Sequence, residues 1–331
     1  RYVIIRGTEA RLNSPTVNGE RIPSPDAGVR HVARDSLPAA LLGSIEVSKA
    51  LRPERDGDAS GGTVDRGSLR APVVPRVSAS LGANYSELMQ NTAPNGSATF
   101  GGRFGDEKEW GLLLSGSASD TKRGADNIEP EYDDGDLSEL QFRDYTTQRE
   151  RYGITADIDF RPTVTSNYFL RGLWTNYIDT EQRRAKTMIV EDNELERAIK
   201  DRTQESLINS ISFGGENNLG ASWVLDYRLM YNKSSEETLN QLTSAFLQED
   251  IEYVTNVGGG NIDPDNIQAI PLNESAAELE FDEIEDQTKT AEEEDWVGAI
   301  NFTKGFYKNT GFSGLWKFGA KARSKTKEQN Y

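Results

Sequence analysis

Tyr152-Gly153-Ile154-Thr155-Ala156-Asp157-Ile158-Asp159-Phe160-Arg161 is the stretch on which the fold turns. Its odd and even positions differ sharply: Tyr, Ile, Ala, Ile and Phe on one set, Gly, Thr, Asp, Asp and Arg on the other. A strand sends successive side chains to opposite faces, so this segment presents one apolar face and one charged face. Two further stretches repeat the pattern. Trp223, Leu225, Tyr227, Leu229 and Tyr231 alternate with Val224, Asp226, Arg228, Met230 and Asn232. Phe312, Gly314, Trp316, Phe318, Ala320 and Ala322 alternate with a face that carries Ser313, Lys317, Lys321 and Arg323.

Working outward, nine strands are predicted near 75–88, 97–104, 109–119, 150–161, 166–179, 205–214, 221–233, 296–306 and 312–324. The gaps between them alternate. Those at 105–108, 162–165, 216–220 and 307–311 are tight, whereas 120–149, 180–204 and 234–295 are long and polar, and 90–95 is modest. Short turns at one end and long loops at the other mark a transmembrane barrel. Three structureless connections of that size are rare in a compact soluble domain. Aromatic residues gather at the strand ends: Trp110, Tyr152, Phe160, Tyr168, Trp223, Tyr231, Trp296 and Phe302. In a bilayer these would be interfacial girdles.

Composition narrows the field. A mean hydropathy of -0.66 with 27% charged residues excludes a helical membrane protein, and no run reaches the ~18 apolar residues that a spanning helix needs. A barrel is not excluded, because only alternate positions of its strands face lipid. The chain has no cysteine, hence neither disulfides nor thiolate metal ligands. The net charge of -17 is concentrated: residues 235–295 hold 18 acidic residues and one basic residue, Lys289, and the rest of the chain balances. Such a run reads as a solvated loop.

Residues 1–72 have a different texture, with short apolar runs between Gly, Pro, Asn and Asp. Val3-Ile4-Ile5, Thr16-Val17 and Ile45-Glu46-Val47 read as short strands, and 35–42 as a short helix capped by Asp35. Asn18-Gly19 suits a tight turn with positive φ. Arg6-Gly7, Val17-Asn18-Gly19-Glu20-Arg21-Ile22-Pro23, Arg34-Asp35, Ile45 to Lys49, Arg52-Pro53 and Gly61-Gly62-Thr63-Val64 follow in that order. In order and spacing this segment resembles the plug of TonB-dependent outer-membrane receptors, especially a subgroup common in Caulobacter-like and Xanthomonas-like proteobacteria. Arg66-Gly67-Ser68-Leu69-Arg70 departs from the family pattern, which would continue with an apolar strand and a Thr-Lys or Thr-Arg pair.

The resemblance implies an all-β transmembrane β-barrel with a small α+β plug domain in its lumen. Residues 1–72 would be the C-terminal part of the plug, and 73–331 the first nine or so antiparallel strands of a larger barrel, about 22 strands in this class. The front of the plug, with its TonB box, and more than half of the barrel would then lie outside this sequence. Implied partners are TonB with its inner-membrane energising proteins, a small extracellular solute and outer-membrane lipid, in a Gram-negative cell. Arg6, Gly7, Asn18, Gly19, Arg34, Asp35, Lys49, Gly61 and Gly62 would be plug-motif residues, with Gly61-Gly62 bending where a side chain would strike the enclosing wall. By the family pattern, plug loops carrying Arg11, Asn13, Pro23, Ser24 and Asp26 would touch the solute.

No enzyme, cofactor or nucleic-acid function is expected. His31 is the only histidine, no nucleophile stands in a recognisable triad, and there is no basic patch. Gly258-Gly259-Gly260 lacks the Lys-Thr context of a phosphate loop. The acidic stretch 278–295 lacks the ligand spacing of a calcium loop. Negative charge at a barrel mouth disfavours anionic ligands, so an oligosaccharide is slightly preferred to a ferric siderophore. The rival readings are a passive porin or surface-binding barrel, and a soluble β-rich binding module.

Overall fold

Residues whose sequence alternates apolar with polar pair side by side with their chain neighbours, as hairpins require. The computed structural model describes residues 3–24, 37–50, 56, 61–220, 222–255, 268–307 and 311–330. Its main sheet runs β5 (Arg76–Ser86), β6 (Asn91–Phe104), β7 (Trp110–Asp133), β8 (Asp136–Thr163), β9 (Ser166–Ile189), β10 (Glu194–Gly220), β11 (Trp223–Gln248), β15 (Lys289–Tyr307) and β16 (Ser313–Asn330). Each is antiparallel to the next. Among the described residues these are nine strands in simple up-and-down order, with β14 (Glu280–Asp286) added beside the far end of β11. The architecture is the antiparallel wall of a partial β-barrel, and β5 and β16 do not pair with each other.

The long connections expected at 120–149, 180–204 and 234–295 are corrected by the structure. β7 and β8 stay paired out to Asp133 and Asp136, with Asp134-Gly135 as the turn, both at positive φ. β9 and β10 likewise pair to Ile189 and Glu194, and β11 runs on to Gln248. These strands of 24 to 28 residues exceed the 9–11 that cross a bilayer. The expectation failed because the distal halves are polar on both faces and so carry no period-two signal. The acidic run is also not one loop. Its ends lie in β11 and β15, and Glu280–Asp286 forms β14.

The N-terminal unit is a four-stranded sheet ordered β2 (Glu20–Arg21), β1 (Asn13–Val17), β4 (Gly62–Ser68), β3 (Leu42–Ser48). β1 and β4 are parallel, and the other pairs are antiparallel. The segment that departs from the family pattern thus begins inside the strand that joins β1 to β3. Val3-Ile4-Ile5 is not a strand: it runs into a turn at Arg6-Gly7, both at positive φ. Of the helix expected at 35–42, residues 35–36 lie outside the described residues, and Ala39–Leu41 is a single 3-10 turn. Pro38 precedes it and supplies no side-chain cap.

One face of the wall carries the N-terminal unit and is termed inner. Val17, Ile22, Leu37 and Leu41 pack with Leu173 of β9 and Ile208 of β10 in one buried cluster. A second cluster lies far from it, at the hairpin tips. There Leu137, Leu140, Met188 and Leu195 pack with Ile251 and Ala269, beside the small hairpin β12 (Tyr253–Thr255) and β13 (Ala269–Pro271).

Candidate functional site: the seam between the N-terminal unit and the wall

The charged positions of the opening sequence all turn inward. Asp157 is 1% exposed and Asp159 4%, whereas Ile154 and Ile158 on the other face are 48% and 38% exposed. Leu114, Leu170, Phe213, Leu229, Trp296 and Ile300 share that open outer face. The distribution is inside-out for a protein in water, where exposed apolar patches rarely exceed a few hundred Å².

Aromatic residues bound this outer band. On the side of the short turns, Trp110 stacks on Phe160 at 4.3 Å, and Phe160 lies 6.5 Å from Tyr168. Trp223 and Phe318 meet edge to face at 5.9 Å, and Phe318 stacks on Phe302 at 5.6 Å. On the other side, Tyr231 and Trp296 are 4.8 Å apart, and Tyr152 stands at the corresponding end of the apolar run of β8. Phe160 to Tyr152 and Trp223 to Tyr231 each span eight residues, roughly 26 Å along a strand. That is close to the tilted length of a bilayer-crossing strand. Among the described residues, no charged side chain stands on the outer face between the two belts.

On the inner face the charges are matched. Asp157 accepts from Arg171 at 2.8 Å and from the backbone N–H of Ala71 at 2.9 Å, which ties the exit of the N-terminal unit to β8. Arg171 also lies over the Phe169 ring at 3.6 Å. Asp159 holds Arg103 at 2.6 Å and Arg161 at 3.0 Å. Glu20, 7% exposed at its side chain, faces Arg228 at 3.6 Å, Lys321 at 2.5 Å and Arg323 at 3.4 Å. Asp56 shares Lys321 at 2.9 Å and Arg323 at 3.1 Å. Burial opposes its charge, yet these two cations hold the Asp56 carboxyl below the usual carboxylate range.

The expected plug-motif residues are placed as follows. Asn18 and Gly19 form the β1–β2 turn with positive φ of 54° and 84°. The Asn18 carbonyl accepts from Arg228 at 2.6 Å, and its side-chain oxygen accepts from the Ser68 N–H at 3.0 Å. Gly19 N–H donates to Asp65 at 2.7 Å. Gly62 has φ of 142°, and a Cβ there would meet the Ser48 carbonyl at 2.7 Å. At Gly61 it would strike Asn13 and Thr8. The glycine pair is therefore required by contacts inside the N-terminal unit, not by the wall. Lys49 is exposed beyond β3; Arg34 and Asp35 lie outside the described residues.

Of the expected solute-contact residues, Arg11 is exposed and paired with Glu9. Asn13 is buried, and its amide bridges the carbonyls of Val3 at 3.1 Å and Glu9 at 3.2 Å. Pro23 and Ser24 are buried, and Asp26 is outside the described residues. Sequence reasoning placed Asp157, Asp159, Arg161, Asp226 and Arg228 on the polar face. It did not find Glu20, Lys321 and Arg323 as one cluster, because partners some 300 residues apart share no local pattern.

No protein-family model matches the chain, and neither does any curated protein. Solved structures do. BauA, the ferric preacinetobactin receptor from Acinetobacter baumannii, aligns at 12% identity with a TM-score of 0.44 over 98% of this chain and 52% of that one. The ferric citrate transporter FecA, unliganded, aligns at 12% identity and 0.36, over 98% and 53%. The siderophore receptor PiuA from A. baumannii aligns at 9% identity and 0.32, over 98% and 56%. The chain thus spans about half the length of these structures.

Proposed function

We propose that this chain is part of an outer-membrane barrel that takes up a scarce extracellular solute when TonB pulls on a plug, the N-terminal unit. The observation that carries the proposal is the inside-out wall. Its apolar outer belt suits lipid, and its polar inner face is occupied by the N-terminal unit rather than by an open channel. A lumen filled by a unit held to the wall by ion pairs at Glu20 and Asp56 blocks passive diffusion, so passage needs work. This favours energised transport over a passive porin. The apolar belt argues equally against a soluble binding module.

The test uses the full-length protein and the purified C-terminal domain of TonB. Solute-stimulated binding of the two, with uptake abolished by collapse of the proton gradient, is the expected result. Uptake that persists without TonB would leave the passive reading standing. The ligand class is tested separately, by comparing binding of neutral oligosaccharides with that of ferric chelates; the acidic excess of 235–295 favours the neutral class.

A further inference from the structure

The outer face is not uniform along its lower edge. At one corner the register neighbours Phe104, Trp110, Phe160 and Tyr168 form a row that carries no charge. At the other corner a cation stands among the rings. Lys304 of β15 has Trp223 of β11 as its register partner on one side and Trp316 of β16 on the other. Alternation from Trp296 and Ile300 puts Lys304 on the outer face. Its ammonium lies over the Trp223 ring, 5.0 Å from the centroid.

Around this Trp-Lys-Trp row the rings enclose space rather than fill it. Trp223, Lys304, Phe306, Phe312, Trp316 and Phe318 line an open cavity of about 670 Å³. Its walls brace one another: Phe306 meets Trp316 at 6.5 Å and Phe312 at 5.9 Å, and Trp223 meets Phe318 at 5.9 Å. The volume lies within the range of small-molecule sites, ~300–1,000 Å³. A hollow of rings around one ammonium is complementary to an amphipathic anion, with hydrocarbon for the rings and an anionic oxygen for the lysine. A ring face attracts the ammonium but is no substitute for oxygen acceptors, of which an ammonium engages up to three.

We infer that this cavity is a headgroup site for one anionic phospholipid, with its phosphodiester on Lys304 and its acyl chains rising along the apolar outer band. The site lies at the end of the wall where the turns are short, so the lipid belongs to the periplasmic leaflet. This rests on the membrane-barrel part of the proposed function and not on TonB. It goes beyond the general attraction of aromatic rings to the interface, which does not select charge. Lys304 does select: a zwitterionic lipid brings its own ammonium to the same rings, where the two cations repel.

The test titrates full-length protein in detergent with phosphatidylglycerol, or with phosphatidylcholine of the same chains, and counts bound lipid by native mass spectrometry. One tightly held phosphatidylglycerol per chain is expected, in preference to phosphatidylcholine. Lys304→Met should weaken that lipid about fivefold, the worth of one cation at a membrane surface. Lys304→Arg should keep it. Lys233→Met is the control, because this outward lysine beside Tyr231 is already matched by Glu292 at 2.6 Å and Glu294 at 3.0 Å, and binding should not change. Equal affinity for the two lipids, no effect of Lys304→Met, or an equal loss in Lys233→Met would each overturn the inference. So would displacement of the lipid by inorganic phosphate as readily as by phosphatidylglycerol, or lipid-free dimers that Lys304→Met dissociates, which would give the face to a second copy. Protein that stays dispersed in water and takes up neither detergent nor lipid would instead defeat the barrel itself, so the two failures remain distinguishable.

Discussion

The two ends of the wall use one backbone ladder under opposite rules. Below the Tyr152–Tyr231–Trp296 belt, apolar side chains point out and ion pairs are buried within, as at Asp157–Arg171. Above it, strands of the same sheet are polar on both faces. Their largest buried apolar cluster among the described residues is the tip assembled from Leu140, Met188, Leu195 and Ile251, beside a smaller one of Ala185, Ala198 and Ala245. By strand alternation, Leu140, Met188 and Leu195 stand on the face that faces outward lower down. The difference teaches that side-chain pattern records the surrounding medium, whereas pairing records topology. Where lipid ends, the outer face loses its apolar series although the hydrogen-bonded ladder continues.

The comparison breaks most severely if its buried charges prove dispensable. Asp157→Ala leaves Arg171 and the Ala71 N–H without their acceptor and should cost about 3–5 kcal/mol, measured by denaturant unfolding of the full-length protein in detergent. Adding Arg171→Met should recover part of the loss, and no recovery would mean that the pair is not the cause. Next comes the medium itself. Leu229→Arg in the middle of the outer belt should cost about 2–4 kcal/mol on folding into lipid vesicles. Ile199→Arg, on the same face above the belt, should change stability by less than about 0.5 kcal/mol. Equal effects at the two sites would remove the boundary.

Smaller is the ion pairing at the tip. Glu274 reaches Lys186 at 2.6 Å and also Arg197, all partly exposed. Lys186→Ala should cost under about 1 kcal/mol, in contrast to Asp157→Ala. Smallest is the pH response of that tip. Lys186, and then Arg197, hold the Glu274 carboxyl below its usual range despite some burial, so its contribution is present above pH 4.5 and lost below it. Glu139 and Glu196 are shifted the other way. Burial first, then neighbouring acids (Glu131 for one, Asp282 and Glu283 for the other), raise them above 4.5. Their protonation relieves the tip before Glu274 is lost. Hydrogen-exchange protection of the Ile251 N–H, bonded to the Asn193 carbonyl at 2.7 Å, should rise slightly as pH falls from neutrality and decline below 4.5. A monotonic decline would show that the raised acids are not in play.

The lower wall was legible because each of its strands meets two media, and the alternation at 152–161 and 223–232 therefore survives in the sequence. All nine strands were located from that signal. Their upper halves were not, since residues 120–133 or 180–188 are hydrated on both sides and resemble loop sequence. The tip cluster draws one or two apolar residues from each of five segments, which no window can collect. Within the N-terminal unit, the Asn18-Gly19 turn was readable from the backbone demands of its two residues. The reason for Gly61-Gly62 was not: the atoms they make room for, on Asn13, Thr8 and Ser48, come close only in the folded sheet.

The parallel pairing of β1 with β4 has a mechanical corollary. β4 leads through Arg70 to Ala71, which is anchored on Asp157, while the chain ahead of β1 leaves the sheet at the opposite end. Tension between those points would run along both strands, loading the bonds from Asn13 to Val17 in shear and together rather than opening them one at a time. Such a sheet resists being unzipped. A pull from ahead of β1 would be passed on whole to the grip of Arg228, Lys321 and Arg323 on the Asn18–Glu20 corner, and that grip would yield first.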